Sequence, residues 1–129
     1  MKYKILVVED DTVIQTELVN LLNGNGYHTD AVTDFSSIVQ AVKNIQPHLI
    51  LLDIMMPVSG IDICSSIRSQ IQTPIIFITA KNLEEDIVEA IGIGADDFIT
   101  KPFGMKELVA RVKMHIRRDK RLLSVGDTE

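Results

Sequence analysis

The chain has 129 residues, enough for one domain, and its 46% apolar and 24% charged content is that of a folded globular protein. No apolar run approaches the ~18–20 residues that cross a bilayer, the start MKYKILVVEDD turns acidic too early for a signal-peptide core, and the single cysteine, Cys64, cannot form an internal disulfide. A cytoplasmic protein with no membrane partner is therefore expected, and a disulfide scaffold and a zinc ribbon are excluded. The net charge of −5 is uneven: residues 1–103 hold six Lys/Arg against fourteen Asp/Glu, and 104–129 hold seven against four, so the body suits a cation better than a nucleic acid.

In chain order, the apolar run Ile5–Val8 predicts a first strand. Thr12–Leu22 follows with Val13, Ile14, Leu18, Leu21 and Leu22 on one helical stripe; Thr12-x-x-Gln15 reads as a capping box and Asn23-Gly24-Asn25-Gly26 as the stop. His28–Val32 predicts the second strand, and Ser36–Ile45 a helix ending before Pro47. Leu49–Leu52 and Ile75–Ile78 are continuous apolar runs, as expected of central strands covered on both faces. Helices are expected over Gly60–Arg68, Leu83–Ile91 and Gly104–Arg118, with a last strand at Phe98–Thr100. Regular alternation of strand and helix predicts an α/β protein of the flavodoxin-like class, a doubly wound five-stranded parallel sheet with five helices. The domain is placed at 1–118, with 119–129 as a linker stub or disordered tail.

Ligands of such sheets bind beyond the carboxyl ends of the strands. The residues there are Glu9, Asp10 and Asp11 after the first run, Asp53 after the third, Thr79-Ala80 after the fourth and Thr100-Lys101-Pro102 after the fifth. Carboxylates gathered without matching arginines repel, and a hard divalent cation relieves the conflict; Mg²⁺ accepts an all-oxygen set, and no histidine or thiol follows a strand end to favour a softer metal. His28, His48 and His115 are scattered and read as structural or exposed. The Glu-Asp-Asp loop would repel a flavin phosphate, and no GxxxxGK[ST] occurs, so flavin and nucleotide binding are rejected. Phosphate chemistry through a metal remains. Asp53 is the candidate nucleophile, Lys101 a point charge for a phosphoryl oxygen and Thr79 a hydroxyl donor to another. Singly each is also a cap or turn residue, Asp11 above all.

These residues resemble the receiver domain of two-component response regulators, over nearly the whole chain from Ile5 to about Arg118. ILVVEDD is similar to the family's first strand and acidic pair, on Glu9 and Asp10. LILLDIMMP resembles its phosphorylation strand, with Asp53 as acceptor and Pro57 and Gly60 in the loop that follows. PIIFITA carries the switch hydroxyl on Thr79, and GADDFITKPF the switch aromatic Phe98 and the lysine Lys101, with a cis bond to Pro102 expected. The resemblance implies that Asp53 takes a phosphoryl group from a sensor histidine kinase. It implies Mg²⁺ on Asp10, Asp53 and the Met55 carbonyl, with Glu9 acting through water, and hydrolysis tuned by Met55 and Lys81. Thr79 and Phe98 would then move together and reshape the face of the fourth helix, fifth strand and fifth helix. A switch with slow autodephosphorylation is expected rather than a turnover enzyme. A metal phosphatase would need a second acid where Met55 stands.

ADDFITKPF followed by KELVARVKMHIRR looks most like the class with a DNA-binding winged helix, the OmpR/PhoB type, which regulates transcription and forms a homodimer through that face on phosphorylation. Asp97 and Arg111 match one charged pair, and Glu107, Lys113 and Arg118 further members. Ile87 stands where an Arg or Lys is usual and Gly92 where an acid is common, so part of the ionic network is missing; an exposed Ile87 would widen an apolar contact instead. DNA would be reached only through an output domain beyond this chain. A piece of a longer regulator is therefore expected, with a stand-alone receiver acting by protein contacts as the alternative.

Overall fold

In the computed structural model, residues 2–32, 34–54, 59–80 and 84–127 are described. Strands β1 (Lys4–Val8), β2 (His28–Val32), β3 (Leu49–Asp53), β4 (Ile75–Thr79) and β5 (Asp97–Thr100) alternate with helices α1 (Thr12–Gly24), α2 (Ile38–Ile45), α3 (Gly60–Arg68), α4 (Glu84–Ile93) and α5 (Met105–Asp127). All strand pairs are parallel, in the order β2-β1-β3-β4-β5. This is the expected doubly wound, flavodoxin-like arrangement.

The apolar runs build two cores by simple alternation, since successive strand residues point to opposite faces. Leu6, Val8, Ile50, Leu52, Ile75 and Phe77 pack on one side against Ile38 and Val42 of α2, Ile63, Cys64 and Ile67 of α3 and Ala90 of α4. Ile5, Val7, Leu49, Leu51, Ile76, Ile78 and Ile99 pack on the other against Leu18 and Leu22 of α1 and Leu108, Val112 and Ile116 of α5. Each Val, Leu, Ile or Phe among them contributes about 1.5–3 kcal/mol by leaving water. Cys64 is buried, and burial pushes its thiol above the ordinary value.

Register fixes where the sheet meets the loops. Val8 pairs with Leu52 and Thr79 with Thr100, so the carboxyl ends of β1, β3, β4 and β5 form one rim. The order reverses between β1 and β3, the crevice where such folds place their ligands.

Several local expectations shift. Asp11, not Thr12, caps α1: its carboxylate accepts from the Val13 and Ile14 amides, at 2.9 and 3.2 Å for Oδ1. An aspartate satisfies two orphan amides where the hydroxyl of the expected box would satisfy one. Gln15 still reaches back, donating to the Glu9 carbonyl at 3.1 Å. The second helix begins with a 3₁₀ turn over Phe35–Ser37, because Asp34 accepts from the Ser36 amide and hydroxyl. The backbone of α5 continues as helix past Arg118 to Asp127; Lys120, Arg121, Leu122 and Leu123 all propagate a helix once started. The Lys101–Pro102 bond is cis.

Candidate functional site: an acidic crevice closed by a lysine

Glu9 leaves the end of β1 almost fully buried, 2% exposed, and Asp53 closes β3 at 4%; Asp10 is exposed. One carboxylate oxygen from each of Glu9, Asp10 and Asp53 lies within 4.8 Å of the others. Glu9 is oriented by two donors, the Asp11 amide at 3.1 Å to Oε2 and Lys101 Nζ at 2.7 Å to Oε1. The same ammonium reaches Asp53 Oδ2 at 3.0 Å. Lys101 is held where it can do so by its backbone, whose amide donates to the Thr79 carbonyl at 2.7 Å just beyond paired β4 and β5. Thr79 is itself buried at the end of β4.

The electrostatics follow from burial. Loss of water pushes the Glu9 carboxyl above its ordinary value; the Lys101 ammonium and the Asp11 amide oppose this, and Asp53 beside it adds to the rise. Burial alone would lower the Lys101 pKa, yet its hydrogen bonds to Glu9 and Asp53 outweigh that and hold it above the ordinary value. The crevice is thus a nest of oxygen donors with one cation already against two of them.

Backbone approach is equally tight behind Asp53. Its carbonyl stands where a Cβ on Gly60 would sit, so only glycine opens α3 there. The Ser59 hydroxyl accepts from the Asp62 amide at 3.4 Å and caps that helix. Asp11, placed in the acidic inventory by sequence, is spent on capping α1. Met55, Pro57 and Lys81 lie outside the described residues.

Of the other expected positions, Phe98 is partly buried on β5, paired in register with Phe77. Asp97 and Arg111 do meet, within one chain, at 2.9 and 3.0 Å from Nη1 to the two carboxylate oxygens, and Arg111 also pairs with Glu107 one turn earlier at 3.2 Å. Lys113 is exposed, and Arg118 reaches Asp96 at 3.6 Å. Ile87 is half-buried rather than exposed. The apolar side chains that α4 turns outward are Val88 and Ile91, at 63% and 56%. His115, expected from sequence to be structural or exposed, is structural: it is 2% exposed with Nε2 3.0 Å from Asp97 Oδ2. Its signal was spacing: Glu107, Arg111, His115 and Arg118 fall on one helical stripe. Burial would raise the Asp97 carboxyl, but hydrogen bonds from His115, the Phe98 amide and Arg111 prevail and hold it below the ordinary value.

A parallel sheet with clustered carboxylates, a hydroxyl and a lysine on its carboxyl rim defines a doubly wound α/β domain with an acidic crevice at its switch point. The profile of the response regulator receiver domain matches residues 5–113, and the chain belongs to that family. It is 42% identical to the DNA-binding response regulator MtrA of Mycolicibacterium smegmatis, over 100% of this chain and 59% of MtrA. It is 45% identical to the nisin biosynthesis regulatory protein NisR of Lactococcus lactis subsp. lactis, over 94% of this chain and 53% of NisR. The chain therefore spans rather more than half the length of these relatives. Among solved structures, the BeF3-activated N-terminal receiver domain of Klebsiella pneumoniae RstA superposes with a TM-score of 0.85 at 30% identity, covering 88% of this chain and 98% of that one. The N-terminal domain of the nisin resistance regulator NsrR gives 0.82 at 38% identity, covering 90% and 99%. The protein is a receiver domain of a two-component response regulator. Among the described residues, no helix is long and apolar enough to cross a membrane.

Proposed function

We propose that this receiver is a cytoplasmic, phosphorylation-driven switch in which Asp53 accepts a phosphoryl group from the phosphohistidine of a sensor histidine kinase. A carboxylate oxygen of Asp53 attacks phosphorus as the P–N bond breaks, and the departing imidazole keeps the electron pair. Lys101, already 3.0 Å from Asp53, neutralises charge on the transferred group, and the Thr79 hydroxyl donates to one of its oxygens. The set of hard oxygen donors fits Mg²⁺, which Asp10 and Asp53 would hold with Glu9 beside them. When bound, the ion screens an anionic nucleophile from an anionic donor. The observation that carries this reading is the meeting of Glu9, Asp10 and Asp53 under one lysine at the sheet's switch point.

The domain acts as a switch and not as a turnover enzyme, because the position two beyond Asp53 is Met55, which has no proton to give a leaving group. Its output is a homodimer formed through the α4–β5–α5 face, controlling transcription through a DNA-binding domain outside this chain; that MtrA is named a DNA-binding response regulator and NisR a biosynthesis regulatory protein supports the transcriptional part of that output. Incubation with labelled acetyl phosphate and Mg²⁺ tests the chemistry. Wild type takes up one phosphoryl group and Asp53→Asn none; equal labelling of the variant would place the acceptor elsewhere.

A further inference from the structure

The carboxylate of Asp97 is held from three sides. Oδ1 accepts from the Phe98 amide at 2.8 Å and from Arg111 Nη1 at 2.9 Å; Oδ2 accepts from that same Nη1 at 3.0 Å and faces His115 Nε2 at 3.0 Å. A carboxylate offers about four lone-pair sites, so its capacity is filled within the chain.

The three donors differ in freedom. The Phe98 amide is fixed in β5. His115 is buried beneath α5, beside Val112 and Ile116 of the core. The side chain of Arg111 is 37% exposed and shares its guanidinium with exposed Glu107. Donor and acceptor logic also assigns the ring. Ionised Asp97 can only accept, so Nε2 carries hydrogen; Arg118 Nη2, 3.4 Å from Nδ1, can only donate, so Nδ1 is the acceptor. The neutral Nε2–H tautomer satisfies both contacts.

We propose that His115 is a positioning residue for self-association. It and the Phe98 amide anchor Asp97 from within its own chain, which leaves the Arg111 position of the carboxylate exchangeable for Arg111 of a second copy. Because a two-fold contact is made twice, an unanchored Asp97 costs affinity twice over. This role rests on the dimer reading above. It deepens that reading by naming a buried residue that sets the geometry of the face without lying on it.

Sedimentation velocity in Mg²⁺ and beryllofluoride tests the role on wild type, His115→Leu and His115→Gln, with melting curves and acetyl phosphate labelling alongside. Leucine fills the space without a donor, whereas glutamine returns a neutral N–H. Wild type and His115→Gln should dimerise with affinities within about threefold, and His115→Leu should lose about tenfold or more, as expected for a lost hydrogen bond to a charge made at two sites. Labelling of Asp53 should be equal in all three. Undiminished dimerisation of folded His115→Leu would overturn the role, and so would equal weakening of both variants. A wild type that labels but stays monomeric would overturn the dimer reading itself, and this role with it. Should His115→Leu not fold, ring ¹⁵N spectra of wild type decide: Nε2 bearing hydrogen at neutral pH is the expected result, and a bare Nε2 would overturn the proposal.

Discussion

At the scale of single residues, the crevice is governed by one ammonium. Lys101 is 92 residues from Glu9 and 48 from Asp53 in sequence, yet it bridges both. Glu9 and Asp53 are buried, so removing their counter-charge leaves two carboxylates facing each other in a poorly solvated site. Lys101→Met should therefore cost about 3 kcal/mol in urea unfolding without metal, the lower end for breaking a buried pair. Millimolar Mg²⁺ should then raise the melting temperature of the variant more than that of wild type, because the ion supplies the charge the lysine no longer does. Equal shifts would mean that Lys101 and the cation do not act on the same carboxylates. Sequence alone placed the acids, the hydroxyl and the lysine on the rim, since each follows an apolar run. It left Asp11 open to a role at the start of α1, which the cap bears out, but it did not foresee that His115 supports Asp97. That pairing depends on where a side chain finds its partner, which periodicity does not encode.

At the scale of elements, each expected strand lies within a residue of the observed one, because Val, Ile and Leu runs bounded by Pro, Gly and acids carry the signal for buried parallel strands. Helix ends were less legible, since caps and 3₁₀ turns are decided by single hydrogen bonds such as those of Asp11 and Asp34. Arg68, at the last residue of α3, shows what a pattern cannot give. Its Nε and Nη2 donate to the Gly94 carbonyl at 3.1 and 2.7 Å, Nη1 to the Thr73 carbonyl at 2.7 Å, and Nη2 also to Asp96 Oδ2 at 2.8 Å. Asp96 in turn accepts from the Ile75 amide at 2.9 Å. One guanidinium thus ties α3 to the starts of β4 and β5, at the sheet end away from the acidic rim. Lysine cannot span these acceptors as a single point charge. Arg68→Lys should lose about 2 kcal/mol in urea unfolding, given several hydrogen bonds to a charged donor. Labelling of Asp53 in the folded variant should match wild type; a large loss of labelling would show that this distal strut shapes the crevice.

At the scale of the whole molecule, charge and apolar surface are segregated over the face assigned to self-association. The described residues of α4 carry Glu84, Glu85 and Glu89, while α5 carries exposed Lys106, Lys113, Arg117 and Arg118. On the same helix as these acids, Val88 and Ile91 are turned outward. Ile87 and Gly92 interrupt the ionic pattern, and Ile87, half-buried, does not supply the missing contact itself. Two forces therefore compete to hold a second copy, and salt separates them. Exposed pairs lose most of their attraction as the screening length falls from ~14 Å near 0.05 M to ~4 Å near 0.5 M salt. Asp97, with 15% of its side chain exposed, is screened less than they are. Apolar contact through Val88 and Ile91 does not weaken with salt. The activated wild type should accordingly change its dimer dissociation constant by less than about threefold across that range. Val88→Asp, which puts a charge into the apolar strip beside Glu84 and Glu85, should weaken it more than about tenfold at either salt, the cost of leaving a charge poorly solvated in a contact. Sedimentation equilibrium of both proteins with beryllofluoride at the two salt concentrations measures this. A steep loss with salt and a mild effect of Val88→Asp would assign the contact to the ionic rim, and would make the acidic α4 and basic α5, rather than the apolar side chains of α4, the feature that selects a second copy.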